Sequence, residues 1–269
     1  MLKAVLFDLD GTLLQVETAE FIQEYLKEVA AAAATVVEPG LFTRALMAST
    51  NVMARNTEPE QTNMAVFWAD FYERLGQTVE DVKPLLEDFY ARRFNDLSRV
   101  VRGPDNNAAQ TVSKILALGL RIVLATDPLF PASAIRSRMN WAGVGELPWE
   151  LVTSYEIMHF CKPHPEYYRE IAARIGLAPE QCLMVGNDVA KDIAPAALAG
   201  MRTYLVTDAP LNYGLADTPA EGNPAEGGLA KGSLAKGSLA ETGPAEARLA
   251  EGAGSLSDFV VWLTAIMGD

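Results

Sequence analysis

Thiols and positive charge are what this sequence has least of. Cys161 and Cys182 are the only cysteines in 269 residues. Two thiols in a chain of this length exclude a disulfide framework. Cys182 opens an apolar run and reads as a small buried hydrophobe. Cys161 precedes Lys162, whose ammonium is expected to lower the thiol pKa without making the thiol a working nucleophile. The 22 Lys and Arg residues face 35 Asp and Glu, a net charge of −13. That balance argues against nucleic acid and anionic membrane as partners, since both are polyanions. No uninterrupted apolar stretch is long enough to cross a bilayer. The chain starts directly on an apolar strand with no basic leader and no cleavage site, so a cytoplasmic location is expected. Aromatic residues are few at 8%, yet hydrophobic residues reach 49%, enough for one large core and a smaller accessory domain.

The most informative stretch is the first one, Ala4-Val5-Leu6-Phe7-Asp8-Leu9-Asp10-Gly11-Thr12-Leu13. A short apolar run stops on two carboxylates with one residue between them, and a Gly-Thr turn follows. Alternate residues of a strand point the same way, so Asp8 and Asp10 leave the sheet together while Leu9 turns into the core. Two unit charges about 4 Å apart repel by roughly 4 kcal/mol at an effective dielectric of about 20. A divalent cation or a shared proton relieves that repulsion.

Beyond this strand the period becomes helical. Segments 16–34, 41–53, 58–75 and 79–94 read as helices, with Pro39-Gly40 as a break. Thr57-Glu58-Pro59-Glu60 and Thr78-Val79-Glu80-Asp81 have the form of N-terminal caps. Phe67, Trp68, Phe71 and Tyr72 are expected in the core of this helical block, residues 15–97. From Gly103 helix and strand alternate, with helices at 107–118, 132–142, 166–175 and 190–199 and strands at 120–125, 151–153, 182–186 and 202–206. Alternation of this kind gives a parallel sheet with helices on both faces. Ligands then bind beyond the carboxyl ends of the strands. Residues 219–253 repeat with a period of five, as in Leu229-Ala-Lys-Gly-Ser. The segment reads as an expanded low-complexity loop, with a solenoid coil or a lid as alternatives. Ser255 to Asp258 then cap a closing helix at 259–267.

Four segments in order resemble the signature motifs of the haloacid dehalogenase-like (HAD) hydrolases. The Asp-Leu-Asp-Gly-Thr run at 8–12 is similar to motif I, Leu124-Ala125-Thr126-Asp127 to motif II, Phe160-Cys161-Lys162-Pro163 to motif III, and Val185-Gly186-Asn187-Asp188 with Asp192 to the acidic motif IV. The resemblance covers 1–14, 98–212 and the final helix. It implies a doubly wound, Rossmann-like α/β core (1–14 and 98–269) with an all-helical C1-type cap domain (15–97). It also implies a phosphatase acting on a small phosphorylated metabolite through an aspartyl-phosphate. Asp8 is then the nucleophile, Asp10 the acid and base, and Lys162 the group that neutralises nucleophile and phosphate. Thr126 binds the phosphate, with Asp127 beside it facing away or bonding to backbone.

Mg²⁺ suits the implied all-oxygen site of Asp8, the Asp10 backbone carbonyl and a motif IV side chain. Motif IV departs from the usual Gly-Asp opening. Either Asn187 or Asp188 is therefore expected on the metal, with Asp192 supporting it. His159 and His164 flank motif III, where structural or cap-facing roles are expected because Asp10 supplies the acid and base. The alternatives are a phosphomutase of the same family and a non-catalytic interaction module.

Overall fold

The computed structural model describes residues 1–76, 78–104, 107–207 and 250–268. In chain order the elements are β1 (Ala4–Phe7), β2 (Leu14–Gln15), α1 (Thr18–Ala33), α2 (Pro39–Ala54), α3 (Asn63–Leu75), α4 (Thr78–Asp88), β3 (Gly103–Pro104), α5 (Ala108–Ala117), β4 (Arg121–Leu124), α6 (Ala132–Trp141), β5 (Leu151–Val152), α7 (Pro165–Arg174), β6 (Cys182–Gly186), α8 (Ala194–Leu198), β7 (Arg202–Val206), β8 (Gly252–Gly254) and α9 (Leu256–Gly268).

Six strands pair in the order β5-β4-β1-β6-β7-β8, every pair parallel. The side-chain alternation expected of a strand is visible in how the core divides. Val5 and Phe7 of β1, Ile122 and Leu124 of β4, and Leu183 and Val185 of β6 enter one apolar cluster with α5 and α9. Ala4 and Leu6, Val123, and Cys182 and Met184 enter a second cluster with α7 and α8 on the opposite face. Helices therefore cover both faces, and the doubly wound α/β architecture expected from the sequence is the one observed. The strand order reverses at β1, which puts the crevice outside the carboxyl ends of β1, β4 and β6.

Helices α1 to α4 lie between two short strands. There β2 and β3 pair antiparallel, Leu14 with Pro104 and Gln15 with Gly103, so the chain leaves the sheet and returns at one neck. The apolar cluster of the first sheet face is continuous with Phe21, Tyr25, Phe42, Phe67 and Phe71 of these helices. Phe67 and Phe71 are buried as expected, with ring centroids 5.1 Å apart, while Tyr72 is exposed.

Local chemistry moves several expected boundaries. The break between α1 and α2 falls where Pro39-Gly40 predicts it, but α2 already begins at Pro39, two residues ahead of the expected start. Pro39 occupies the first turn, where no N–H is needed, and the Glu38 carboxylate accepts the Gly40 and Leu41 amides at 2.9 and 2.6 Å. Helix α3 begins at Asn63, capped by Thr62, because Asn56 closes a local turn with Glu58 ahead of it. The expected helix at 79–94 stops at Asp88 and continues as a wide π turn, Phe89–Arg93, and a 3-10 stretch, Phe94–Val100. Phe89 and Phe94 are both buried, and a 3.6-residue turn does not put residues five apart on one face. The expected helix at 190–199 likewise opens with a π turn, Val189–Ile193.

The repeat 219–253 falls outside the described residues except at its end. There the loop expectation is corrected. Gly252 and Ala253 belong to β8, which pairs parallel with β7, Tyr204 against Gly252. A Cβ on Gly252 would sit 2.5 Å from the Trp262 ring, so this edge strand needs glycine to approach α9. Ser255 and Asp258 cap α9 reciprocally, as the sequence predicts. Among the described residues no helix is long and apolar enough to cross a membrane.

Candidate active site

The eight expected site residues come together in one cleft at the carboxyl ends of the central strands. Asp8, Asp10, Thr126, Asp127, Lys162, Asn187, Asp188 and Asp192 line one open cleft, together with Phe21 and Ile22 of α1. Asp8 follows β1 directly and is tied to the neighbouring strand, its amide donating to the Val185 carbonyl at 2.9 Å. The next turn folds tightly, with the amides of Leu13 and Leu14 both donating to the Leu9 carbonyl at 2.9 and 2.8 Å. Gly11 makes this possible at φ 85°, a value that disfavours any side chain.

Lys162 is the electrostatic centre. Its ammonium is buried and donates to Asp8 Oδ1 at 2.7 Å and to Asp192 Oδ1 at 2.5 Å. Burial opposes that charge, but Asp192 and Asp8 outweigh it and hold the Lys162 pKa well above its ordinary value. Burial pushes the Asp192 carboxyl up, against the pull of Lys162, with Asp8 and Asp188 raising it further. Gly186 lets Asp192 in: a Cβ there would stand 2.2 Å from Asp192 Oδ2.

Motif IV divides its work between neighbours. Thr12 donates its hydroxyl toward Asn187 Oδ1 at 3.2 Å and Asp8 Oδ2 at 3.4 Å, which puts the Asn187 amide beside the Asp8 carboxylate. Asp188 instead caps the following turn, its Oδ1 accepting the Ala190 and Lys191 amides at 2.8 and 3.0 Å. Asp192 Oδ2 accepts the Asp188 amide at 3.0 Å. The Asp127 carboxylate bonds to backbone, accepting the Lys162 amide at 3.3 Å. Burial raises its pKa, while Lys191 and Lys162 pull it down. Thr126 is held from behind, its carbonyl accepting the Thr153 and Tyr167 hydroxyls, each at 2.7 Å.

The sequence reading missed Arg138. It is 2% exposed on α6, and its guanidinium pairs with Asp10 Oδ2. Its signal was a cation within the buried stripe Ala134, Ile135, Arg138, Met139. Burial raises the Asp10 pKa, with Arg138 pulling against it. Thr12 was also read only as part of a turn.

The histidines stand outside the cleft lining. His159 Nδ1 lies 2.8 Å from Glu170 Oε1, and His164 Nε2 lies 3.2 Å from the Ala54 carbonyl. The expectation for Cys161 is corrected. Burial raises its pKa well above the ordinary value, with Asp127 adding to this. The buried thiol accepts a hydrogen bond from the Asn63 amide at 3.2 Å.

The sequence profile of the haloacid dehalogenase-like hydrolases matches residues 2–200. The chain belongs to that family. Among curated relatives, a glyceraldehyde 3-phosphate phosphatase of Methanocaldococcus jannaschii is 26% identical over 211 residues, 77% of this chain and 85% of that protein. Another glyceraldehyde 3-phosphate phosphatase, from Methanothermobacter thermautotrophicus, is 28% identical over 209 residues, 77% of this chain and 86% of that one. A crystal structure of a HAD phosphatase from Thermococcus onnurineus superposes with a TM-score of 0.51 at 17% identity. It covers 97% of this chain and 98% of that one, and the likeness bears on the fold. The chain is accordingly an enzyme, a HAD-like hydrolase of the phosphatase type.

The donor set fits a hard divalent cation. The cleft lining carries five carboxylates, Asp8, Asp10, Asp127, Asp188 and Asp192, against three cations, Arg138, Lys162 and Lys191. Among the described residues no group of three or more His, Cys, Asp or Glu side chains is gathered closely enough to cage a metal ion. Mg²⁺ needs no such cage, since it binds through one or two carboxylates and keeps several waters. Asp8 Oδ2 and Asn187 Oδ1, both approached by the Thr12 hydroxyl, are oxygen donors of that kind.

Proposed function

We propose that this enzyme is a Mg²⁺-dependent phosphatase that hydrolyses a small phosphorylated metabolite through an aspartyl-phosphate on Asp8. The observation that carries the reading is the buried Asp8–Lys162–Asp192 array at the mouth of β1. Lys162 offsets the charge of Asp8 and of the incoming phosphate, so a carboxylate becomes competent as a nucleophile. Asp192 keeps the ammonium in place. In the first half-reaction an Asp8 oxygen bonds to phosphorus, the bridging P–O bond breaks, and Asp10 gives its proton to the leaving oxygen. In the second half Asp10 takes a proton from water as that water's oxygen bonds to phosphorus. The Asp8–phosphorus bond breaks and orthophosphate leaves. The Thr126 hydroxyl holds a phosphate oxygen, while Asp127 organises the backbone of Lys162.

Asp8, Asn187 and the Asp10 carbonyl would hold Mg²⁺, with Asp188 set behind as the cap of the next turn. When bound, the ion supplies charge neutralisation and polarises the phosphoryl oxygens. The helices 15–97 form the cap that closes the cleft and bears on selectivity. Two buried, unpaired thiols agree with a cytoplasmic enzyme.

The test is phosphate release with Mg²⁺ from p-nitrophenyl phosphate and a panel of small phosphate monoesters. Glyceraldehyde 3-phosphate comes first, because it names the curated relatives. Release by the native enzyme and none by Asp8→Asn, with melting preserved, supports the reading. Undiminished release by Asp8→Asn overturns it.

A further inference from the structure

Arg138 is costly where it stands. A guanidinium 2% exposed among aromatic rings gives up its hydration. Its carbon centre lies 5.1 Å from the Phe130 ring centroid and 6.0 Å from that of Phe21, so its direction is fixed by packing from both sides. One head nitrogen pairs with Asp10, and the buried Nε has no partner among the described residues. A guanidinium has five N–H donors in a planar fork that matches a carboxylate edge. On the reading above, Asp10 faces the leaving oxygen. A group that pairs with Asp10 and lines the same cleft then stands on the leaving-group side. The cleft lining also holds an apolar set, Val16, Phe21, Ile22, Leu129 and Phe130, besides Thr18.

We propose that Arg138 recognises a carboxylate on the leaving group, so that the substrate is a small phosphorylated hydroxy acid whose carboxylate stands one or two carbons from the phosphoester. The proposal rests on the phosphatase reading and names its substrate class. The substrate carboxylate takes the unmatched face of the guanidinium, and Phe21 and Phe130 hold the fork in plane to receive it. Neutral analogues leave that donor buried and unpaired, which is what discriminates against them.

The experiment compares substrates of one skeleton that differ only in the distal group. The three-carbon set is 3-phosphoglycerate, glyceraldehyde 3-phosphate and glycerol 3-phosphate. The two-carbon pair is phosphoglycolate and 2-hydroxyethyl phosphate. In at least one set the acid should exceed the alcohol in kcat/KM by about 10–100-fold, the worth of one charge-assisted pair. Arg138→Gln should bring that ratio to within about threefold of unity, and Arg138→Lys should keep part of it. Damage transmitted through Asp10 or through folding lowers all substrates alike and cancels in the ratio. Equal kcat/KM for acid and alcohol in both sets, or a ratio that Arg138→Gln leaves unchanged, overturns the proposal. Loss of release from every monoester, p-nitrophenyl phosphate included, is instead a failure of the phosphatase reading.

Discussion

In the proposed mechanism, Asp10 is the residue on which the two half-reactions meet. Asp10→Asn should slow turnover by roughly 10²–10⁴-fold, the usual worth of general acid–base catalysis. The loss should be smaller for aryl phosphates, whose leaving groups need little protonation. Steady-state rates for an alkyl and an aryl ester check this, and equal losses would make Asp10 structural. The crowded carboxylates also predict a pH effect on stability. Burial raises Asp10, Asp127 and Asp192, the last to about 7. A carboxyl with a raised pKa in the folded state favours folding while protonated. That contribution is complete below the ordinary carboxylate range and is lost as pH rises through the folded value. Metal-free protein should therefore melt lower at pH 8 than at pH 6, and saturating Mg²⁺ should narrow the gap. A melting temperature that rises over that interval without metal contradicts the charge balance drawn here.

At the scale of elements, β1, β4 and β6 were legible because each is an apolar run ending on a polar group. Their alternation between the two core clusters follows directly. The helix that carries Arg138 was legible too, but not its function. A lone cation in an apolar stripe has no local signature, and its partner Asp10 is 128 positions away in sequence. The two-residue shift in the start of α2 has a similar cause, since proline both ends helices and opens them, and Glu38 decides which. Glycine at 186 is a positional requirement. Gly186→Ala should push Asp192 off Lys162, costing about 1–3 kcal/mol as a local overpacking and lowering turnover. Denaturant unfolding and rate measurements on that variant check it, and native values in both would refute the close approach. Strand β8 makes a second element-level prediction. Deletion of 219–253 takes Gly252 and Ala253 from the sheet and removes the seat of α9, whereas deletion of 219–248 spares both. Loop closure cost depends only weakly on length, so the shorter deletion should melt near the native protein and the longer one well below it. Equal melting of the two deletions would mean that β8 contributes nothing.

Across the whole molecule the charge is −13, and the cleft is acidic as well. On the proposed function, a phosphate dianion would enter against the general field and be held by local cations and Mg²⁺. Chelation should abolish turnover and Mg²⁺ should restore it. Excess Ca²⁺ should inhibit, because its longer bonds and higher coordination spoil in-line geometry. Full activity after exhaustive metal removal would contradict the cation requirement. The central claim is that Asp8 carries the phosphoryl group, and its most direct test is acid quenching during turnover followed by mass spectrometry of the peptides. The Asp10→Asn variant, whose intermediate breaks down slowly, is the protein to use. The account predicts one added phosphoryl mass on Asp8, absent from Asp8→Asn; a phosphoryl group on any other residue, or on none while phosphate is being released, would contradict it.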